Sequence, residues 1–503
     1  MKRLLLLIVM SVFMIVPQLS YTAAQEHHDA DEPQIETLRA DTSSHVTEHN
    51  EAVGHYAEDH HASEPAAPYS VLPFILLLLM IATGPLFYEH FWHRNYPRIA
   101  IILAALVVLY YIFGLGNTHA PIHAFFEYFQ FIALLSSLYI ASGGIMISVD
   151  RDATPKANVT LLIIGSIIAN IIGTTGASML LIRPYIRLNE GRIKAYHIVF
   201  FIFMVSNVGG NLTPIGDPPL FLGFLKGVPF FWTLKHNFMP WVFATVILAV
   251  IFYLFDRRNK EGKVHADRTG KIRLIGTKNF IWLLIVVLSV FIDPNIFDWV
   301  PGINYHGQKL SFIRELIMLS VGFFSYKFAS KEAHKGNGFD FEPILEVTYI
   351  FIGIFGTMMP ALELVGNFAS SDAGQQLINP DTLYFGTGTL SAFLDNAPTY
   401  LNFLAAAMAS KGADLGLFRD VQAFAGGEFA NSILSLRSIS VAAVFFGAMS
   451  YIGNGPNFMV KSIAEQSKIN MPSFFGYMIK YSIPVLLPIL FLTWVIFIHF
   501  NWL

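Results

Sequence analysis

Mostly apolar stretches of about 18 or more residues, the length of a helix across the hydrocarbon core of a bilayer, recur along this chain. Inside that core every backbone N–H and C=O must find a partner within the protein, so such runs fold as helices. Of the 503 residues, 54% are hydrophobic and 13% are charged. That is too little charge to cover a soluble domain of this size. The expected fold class is an all-α polytopic membrane protein. The absence of Cys excludes disulfides, thiolate metal sites and a thiol nucleophile.

The beginning of the chain differs in character. Lys2 and Arg3, the apolar run 4–16 and Thr22-Ala23-Ala24 have the order of a signal peptide, so residues 1–24 are expected to be removed. Residues 25–68 are polar, with seven His, eleven Asp or Glu, and Arg39 as the one basic residue besides His. Lacking apolar periodicity, they are expected to be a disordered extracytoplasmic tail. His27, His28, His60 and His61 are its candidate metal ligands, although the His spacing fixes no single site. No cofactor is expected.

Cytoplasmic loops of membrane proteins are rich in Lys and Arg. With the tail outside, that rule orders the apolar segments 71–88, 99–116, 121–148, 195–232, 239–255, 280–292, 312–326, 344–368, 437–461 and 476–500 as about ten full spans. The loop 256–278, with eight Lys or Arg against three Asp or Glu, falls inside and separates a first membrane half, 69–255, from a second, 279–503. Segment 158–182 is basic on both flanks, which fits a re-entrant hairpin entering and leaving on one side. Its middle reads Asn170-Ile-Ile-Gly173-Thr174-Thr175-Gly176. Segment 384–410, broken at Asp395-Asn396-Ala397-Pro398-Thr399, is its counterpart.

Each hairpin is followed by a second broken stretch. Thr213-Pro214-Ile215-Gly216-Asp217-Pro218-Pro219-Leu220-Phe221 matches Ser450-Tyr451-Ile452-Gly453-Asn454-Gly455-Pro456-Asn457-Phe458 at four of nine positions. The first lies on a span going out and the second on one going in, the mark of an inverted-topology repeat with discontinuous helices. Pro and Gly unwind a helix, and the freed backbone groups are tolerated where protein or a water-lined cavity satisfies them.

Asp217 and Asp395 lie in these breaks. A charged Asp at a helix centre costs about 2.5–3.5 kcal/mol on insertion scales, so such a carboxylate points to a proton carrier or cation ligand. Asn211, Thr213, Asn396, Thr399, Ser450, Asn454 and Asn457 add neutral oxygens of the kind Na+ binds. The alternative for Asp217, and also for Asp395, is to cap the half-helix after the break. Glu127, Glu346, Glu363, Glu428 and Arg437 are expected to be structural.

Ser206-Asn-Val-Gly-Gly-Asn-Leu-Thr-Pro-Ile-Gly-Asp-Pro-Pro219 resembles the signature of the ion transporter superfamily. That group includes NhaD-type sodium/proton antiporters, arsenite permeases, citrate/proton symporters and divalent anion/sodium symporters. Leu394-Asp395-Asn396-Ala397-Pro398 resembles the Asp-Asn-x-Pro of the NhaD type. The resemblance, over about residues 120–500, implies two hairpins and two broken helices around one site, in a homodimer with an elevator-like motion. The divalent anion symporters carry Ser-Asn-Thr at each hairpin tip, whereas the tips here read Gly173-Thr174-Thr175 and Asp395-Asn396-Ala397. A tip carboxylate would repel a di- or tricarboxylate across a poorly screened cavity.

The expectation is therefore Na+ (or Li+)/H+ antiport, with Asp395 exchanged, Asp217 assisting, and Thr174 and Thr175 joining the oxygens named above. The alternative is a proton- or sodium-coupled carrier of citrate, another organic anion or an oxyanion, cradled by half-helix N-termini. An enzyme is not expected, since H-E-x-x-H, Gly-x-Ser-Gly and Gly-x-Gly-Asp are all absent from the sequence. The expected location is a bacterial inner membrane with the tail periplasmic. The expected partners are lipid, a small ion and a second copy, without nucleic acid.

Overall fold

The computed structural model describes residues 65–149, 153–259, 272–294, 297–305 and 308–502. Residues 1–24, the tail histidines His27, His28, His60 and His61, and residues 260–271 of the basic loop lie outside them. Residues 65–503 form one compact unit.

Among the described residues, eight helices are long and apolar enough to cross a membrane. One of them, Pro155–Leu188, is the first hairpin. The broken pair Ala195–Met204 and Pro218–Lys226 and the shorter helices Asn279–Ser289 and Ile313–Phe328 lie in the remaining segments that the charge pattern marks as spans. Outward faces carry residues such as Ile101, Ile102, Leu106, Val246, Val250 and Leu254, as lipid contact requires. Two short antiparallel strand pairs complete the fold, Met146–Val149 with Ile272–Ile275 and Ile303–Tyr305 with Gln308–Leu310.

The first two spans differ from expectation. Arg94 and Arg98 suggest a loop, yet the helix Glu89–Leu109 begins one residue after Leu72–Phe87 ends. Tyr88 alone leaves helical geometry, at φ −146° and ψ 48°. Gly84 permits this tight junction, because a Cβ there would lie 2.6 Å from the buried Trp92 ring. Both arginines simply project outward from the second helix. Just before the first span, Ala66 is buried and its N–H donates to Glu363 Oε1 at 2.8 Å, while Tyr111 donates to Oε2 at 3.0 Å.

The first hairpin turns at Gly173, whose φ of 79° and ψ of 154° suit glycine. Asn158 and Asn189 donate to each other's Oδ1, both at 2.8 Å. A straight helix would hold them about 45 Å apart, so the chain must double back. Asp256, fully buried, gathers the base of this hairpin. It accepts from Asn158 at 2.9 Å, Arg192 at 2.8 Å and Tyr196 at 2.8 Å, and lies 3.1 Å from His197. This network ties both hairpin ends to the helices Ala195–Met204 and Trp232–Arg258.

The second hairpin pairs Pro380–Phe393 with Asn396–Ala409. Asn379 caps its first limb by accepting from the N–H groups of Asp381 and Thr382, and Pro380 suits the first helical turn. Gly386 lets the limbs close, since a Cβ there would lie 2.8 Å from the Phe403 ring.

Candidate functional site

The two breaks fold alike. In the first, a 3-10 turn over Val208–Gly210 precedes Thr213, whose Oγ1 accepts the Gly216 N–H at 3.2 Å. In the second, the turn Gly447–Met449 precedes Ser450, whose Oγ accepts the Gly453 N–H at 3.2 Å. Gly210 faces Gly216, and Gly447 faces Gly453, so closely that a side chain on any of the four would press on the opposing backbone. Asp217 and Asn454 then occupy the same extended backbone position before the half-helices Pro218–Lys226 and Gly455–Gln466. The matched residues have matched conformations, as an internal repeat requires.

Asp217 is buried and heads its half-helix, but its carboxylate makes no capping bond there. It points across the molecule. Oδ1 accepts from Thr174 Oγ1 at 2.8 Å and Asn454 Nδ2 at 2.9 Å, and Oδ2 accepts from Asn396 Nδ2 at 2.6 Å. Thr174 comes from the first hairpin tip, Asn396 from the second and Asn454 from the second break. Thus each of the other three discontinuous elements sends one donor to this single carboxylate. Hydrogen bonds to a charged group are each worth about 1.5–3 kcal/mol, which offsets part of the cost of burying it. None of the three donors belongs to a cationic side chain. Asn396 Oδ1 is buried without a hydrogen-bond partner among the described residues.

Asp395 is placed differently. It is half-buried and heads the second limb of its own hairpin, where Oδ1 accepts the Ala397 N–H at 2.9 Å. Capping, the alternative weighed for both carboxylates, is the bond that Asp395 makes and Asp217 does not. Thr399 donates back to the Asp395 carbonyl at 2.9 Å, and Thr175 is half-buried. Among the described residues, neither threonine bonds to Asp217. Thr213 donates to the Asn170 carbonyl, and Asn237 Nδ2 lies 3.4 Å from Asn211 Oδ1. Asn457 donates to the carbonyls of Gly447 and Ser450 at 2.8 and 2.9 Å. These residues hold the broken backbone in shape around the carboxylate.

Three residues of the site were not singled out from the sequence. Asn170 donates to the Gly209 carbonyl at 2.6 Å and accepts the Leu212 N–H at 2.8 Å, fastening the first hairpin to the first break. Ser391 does the same in the second half, donating to the Ala443 carbonyl at 2.6 Å. Asn207 bonds to both Asn454 and Asn457. Asn170 stands in the helix-opening stretch before Gly173, and Asn207 within the signature-like segment. Their position beside the breaks was the available sign. No group of three or more His, Asp or Glu suited to a metal ion occurs among the described residues.

Residues 64–498 match the model of a family described as "Putative citrate transport". No curated protein matches the chain.

Proposed function

We propose that this chain, which belongs to the citrate-transport family whose model it matches, carries its coupling ion on Asp217. Membership makes it a secondary transporter embedded in a lipid bilayer, moving ions or small anions. The observation that carries the proposal is the convergence of Thr174, Asn396 and Asn454 on one buried carboxylate. Whatever occupies Asp217 is felt by both hairpins and both breaks at once.

A proton on Asp217 would add a donor to one carboxyl oxygen and weaken the acceptance of the three incoming donors. A Na+ or Li+ ion would use the carboxylate together with neutral oxygens, and the unpartnered Asn396 Oδ1 is next to it. Proton and cation exclude one another, which is the requirement for exchange. The function that this supports best is Na+(Li+)/H+ antiport by alternating access. Asp217 is the exchanged carboxylate, and Asp395 holds the second hairpin tip in shape. These roles are the reverse of those the motifs suggest.

Citrate or another organic anion is the second reading, favoured by the family's description. Asp217 then takes the coupling cation, and the anion lies against the half-helix N-termini. A citrate carboxylate placed beside Asp217 would be repelled, so the two must bind through an intervening cation or at separate points. A bacterial inner-membrane location, a cleaved leader, a periplasmic tail and a homodimer belong to the same proposal. Protease access to a tag in the tail and the mass of the detergent-solubilised particle test them.

The deciding experiment uses inverted membrane vesicles energised in the presence of a pH-sensitive dye. Na+ or Li+ should restore fluorescence in the wild type, not in Asp217→Asn, and at least partly in Asp395→Asn. Uptake of labelled citrate without cation-driven proton release would replace exchange with the second reading.

A further inference from the structure

Asn207 lies where the two breaks meet, and it is fully buried. Its Nδ2 donates to the Ile202 carbonyl at 2.9 Å, near the end of Ala195–Met204, and to Asn457 Oδ1 at 2.7 Å. Its Oδ1 accepts from Asn454 Nδ2 at 3.2 Å. Asn454 Nδ2 also reaches the Ser206 carbonyl at 3.2 Å and Asp217 Oδ1 at 2.9 Å.

An amide nitrogen carries two hydrogens in a fixed plane. Asn454 Nδ2 has three acceptors for these two hydrogens, so contact with Asn207 and the Ser206 carbonyl restricts how the amide can present itself to Asp217. Gly447 of the second break stays close by, since a Cβ there would lie 3.0 Å from Asn207 Oδ1. The repeat supplies no second copy of this amide. At the interval that pairs Thr213 with Ser450 and Asp217 with Asn454, Asn207 pairs with Val444, which is buried and apolar. One side chain therefore serves both breaks.

We propose that Asn207 is a positioning residue that aims the Asn454 amide at Asp217 and ties the two breaks into one unit. The proposal rests on Asp217 as the ion carrier. Its test is a double-mutant cycle on the purified full chain in proteoliposomes. The measured quantity is the apparent KM of the solute that drives proton movement, whether Na+, Li+ or citrate. Loss of one oriented hydrogen bond predicts that Asn207→Ala raises KM about 5- to 10-fold, with kcat within about twofold. Because Asn207 acts through Asn454, the double variant should match Asn454→Ala within about twofold. KM effects that multiply, or a fall in kcat at constant KM, overturn the positioning role.

Should Asn207→Ala fail to fold, Asn207→Ser is the fallback, since its hydroxyl is uncharged and both donates and accepts. Its KM should stay below that of Asn454→Ala, and equality overturns the proposal. Asp217→Asn measured alongside separates the two levels. Wild-type transport by that variant removes the reading of Asp217 and this inference with it. A dead Asp217→Asn with multiplying KM effects removes the positioning role alone.

Discussion

Replacing Gly453 by Ala should break the site, whereas the same change two residues later should leave it intact. A Cβ on Gly453 would lie 2.6 Å from the carbonyl oxygens of both Gly447 and Ser391, while a Cβ on Gly455 meets nothing within 4 Å. Ordinary van der Waals contact begins near 3.4 Å, so Gly453→Ala must push two backbone groups back by most of an ångström. Ser391 cannot yield freely, because its Oγ is bonded to the Ala443 carbonyl at 2.6 Å.

Overpacking of this kind costs about 1–3 kcal/mol, and a lost hydrogen bond adds about 1 kcal/mol. Stability should therefore fall by about 2–4 kcal/mol. The displaced hairpin also carries Asn396, five residues beyond Ser391, away from Asp217. Transport should drop at least about tenfold, since near-ångström misplacement at a site can cost about 100-fold. Gly455→Ala, at the first position of its half-helix, should be neutral or stabilising by up to about 1 kcal/mol. Thermal unfolding in detergent and flux in proteoliposomes check both. Equal melting and equal flux for the two variants would refute the reasoning.

Three further outcomes are expected. Arg192→Ala leaves the buried Asp256 carboxylate without its guanidinium partner, so unfolding should show a loss of about 3–5 kcal/mol. Lys226 and Glu127, both buried, form an ion pair at 2.6 Å between Pro218–Lys226 and His119–Gly143. The double variant Lys226→Met/Glu127→Gln should therefore melt higher than either single variant. His334, in the surface helix Lys331–Asn337, is held below its ordinary 6.5 by burial, with its ring against Phe339 and Tyr326. Its folded form favours the neutral ring and the unfolded chain takes up the proton first. Its contribution is full above pH 6.5 and is lost as pH falls below that value. Melting temperature should fall over that range in the wild type and less so in His334→Phe.

The framework of this protein is written locally along the chain. Span length, basic loops and the Gly/Pro breaks are local properties, and each leaves its mark within one segment of chain. Gly173, Gly216 and Gly453 could be read as breaks because each stands among Asn, Thr, Pro or further Gly, residues that together weaken a helix locally. The loop expected around Arg94 and Arg98 failed for the converse reason. Charge indicates an exposed position, which a helical face provides as well as a loop does.

The convergence on one carboxylate came from long-range packing. Asp217 and Asp395 are the same residue type in similar breaks, and the motifs pointed to Asp395, whereas the hydrogen bonds converge on Asp217. The donors to Asp217 stand 43, 179 and 237 positions away, separations that no local pattern encodes. The same limit applies at the first hairpin tip, where Thr174 reaches the carboxylate and neighbouring Thr175 does not. The kink at Gly173 sets the direction of each, and direction at a kink follows from what packs against it. Asn207 became visible in the same way, through its two partners on the other half of the chain.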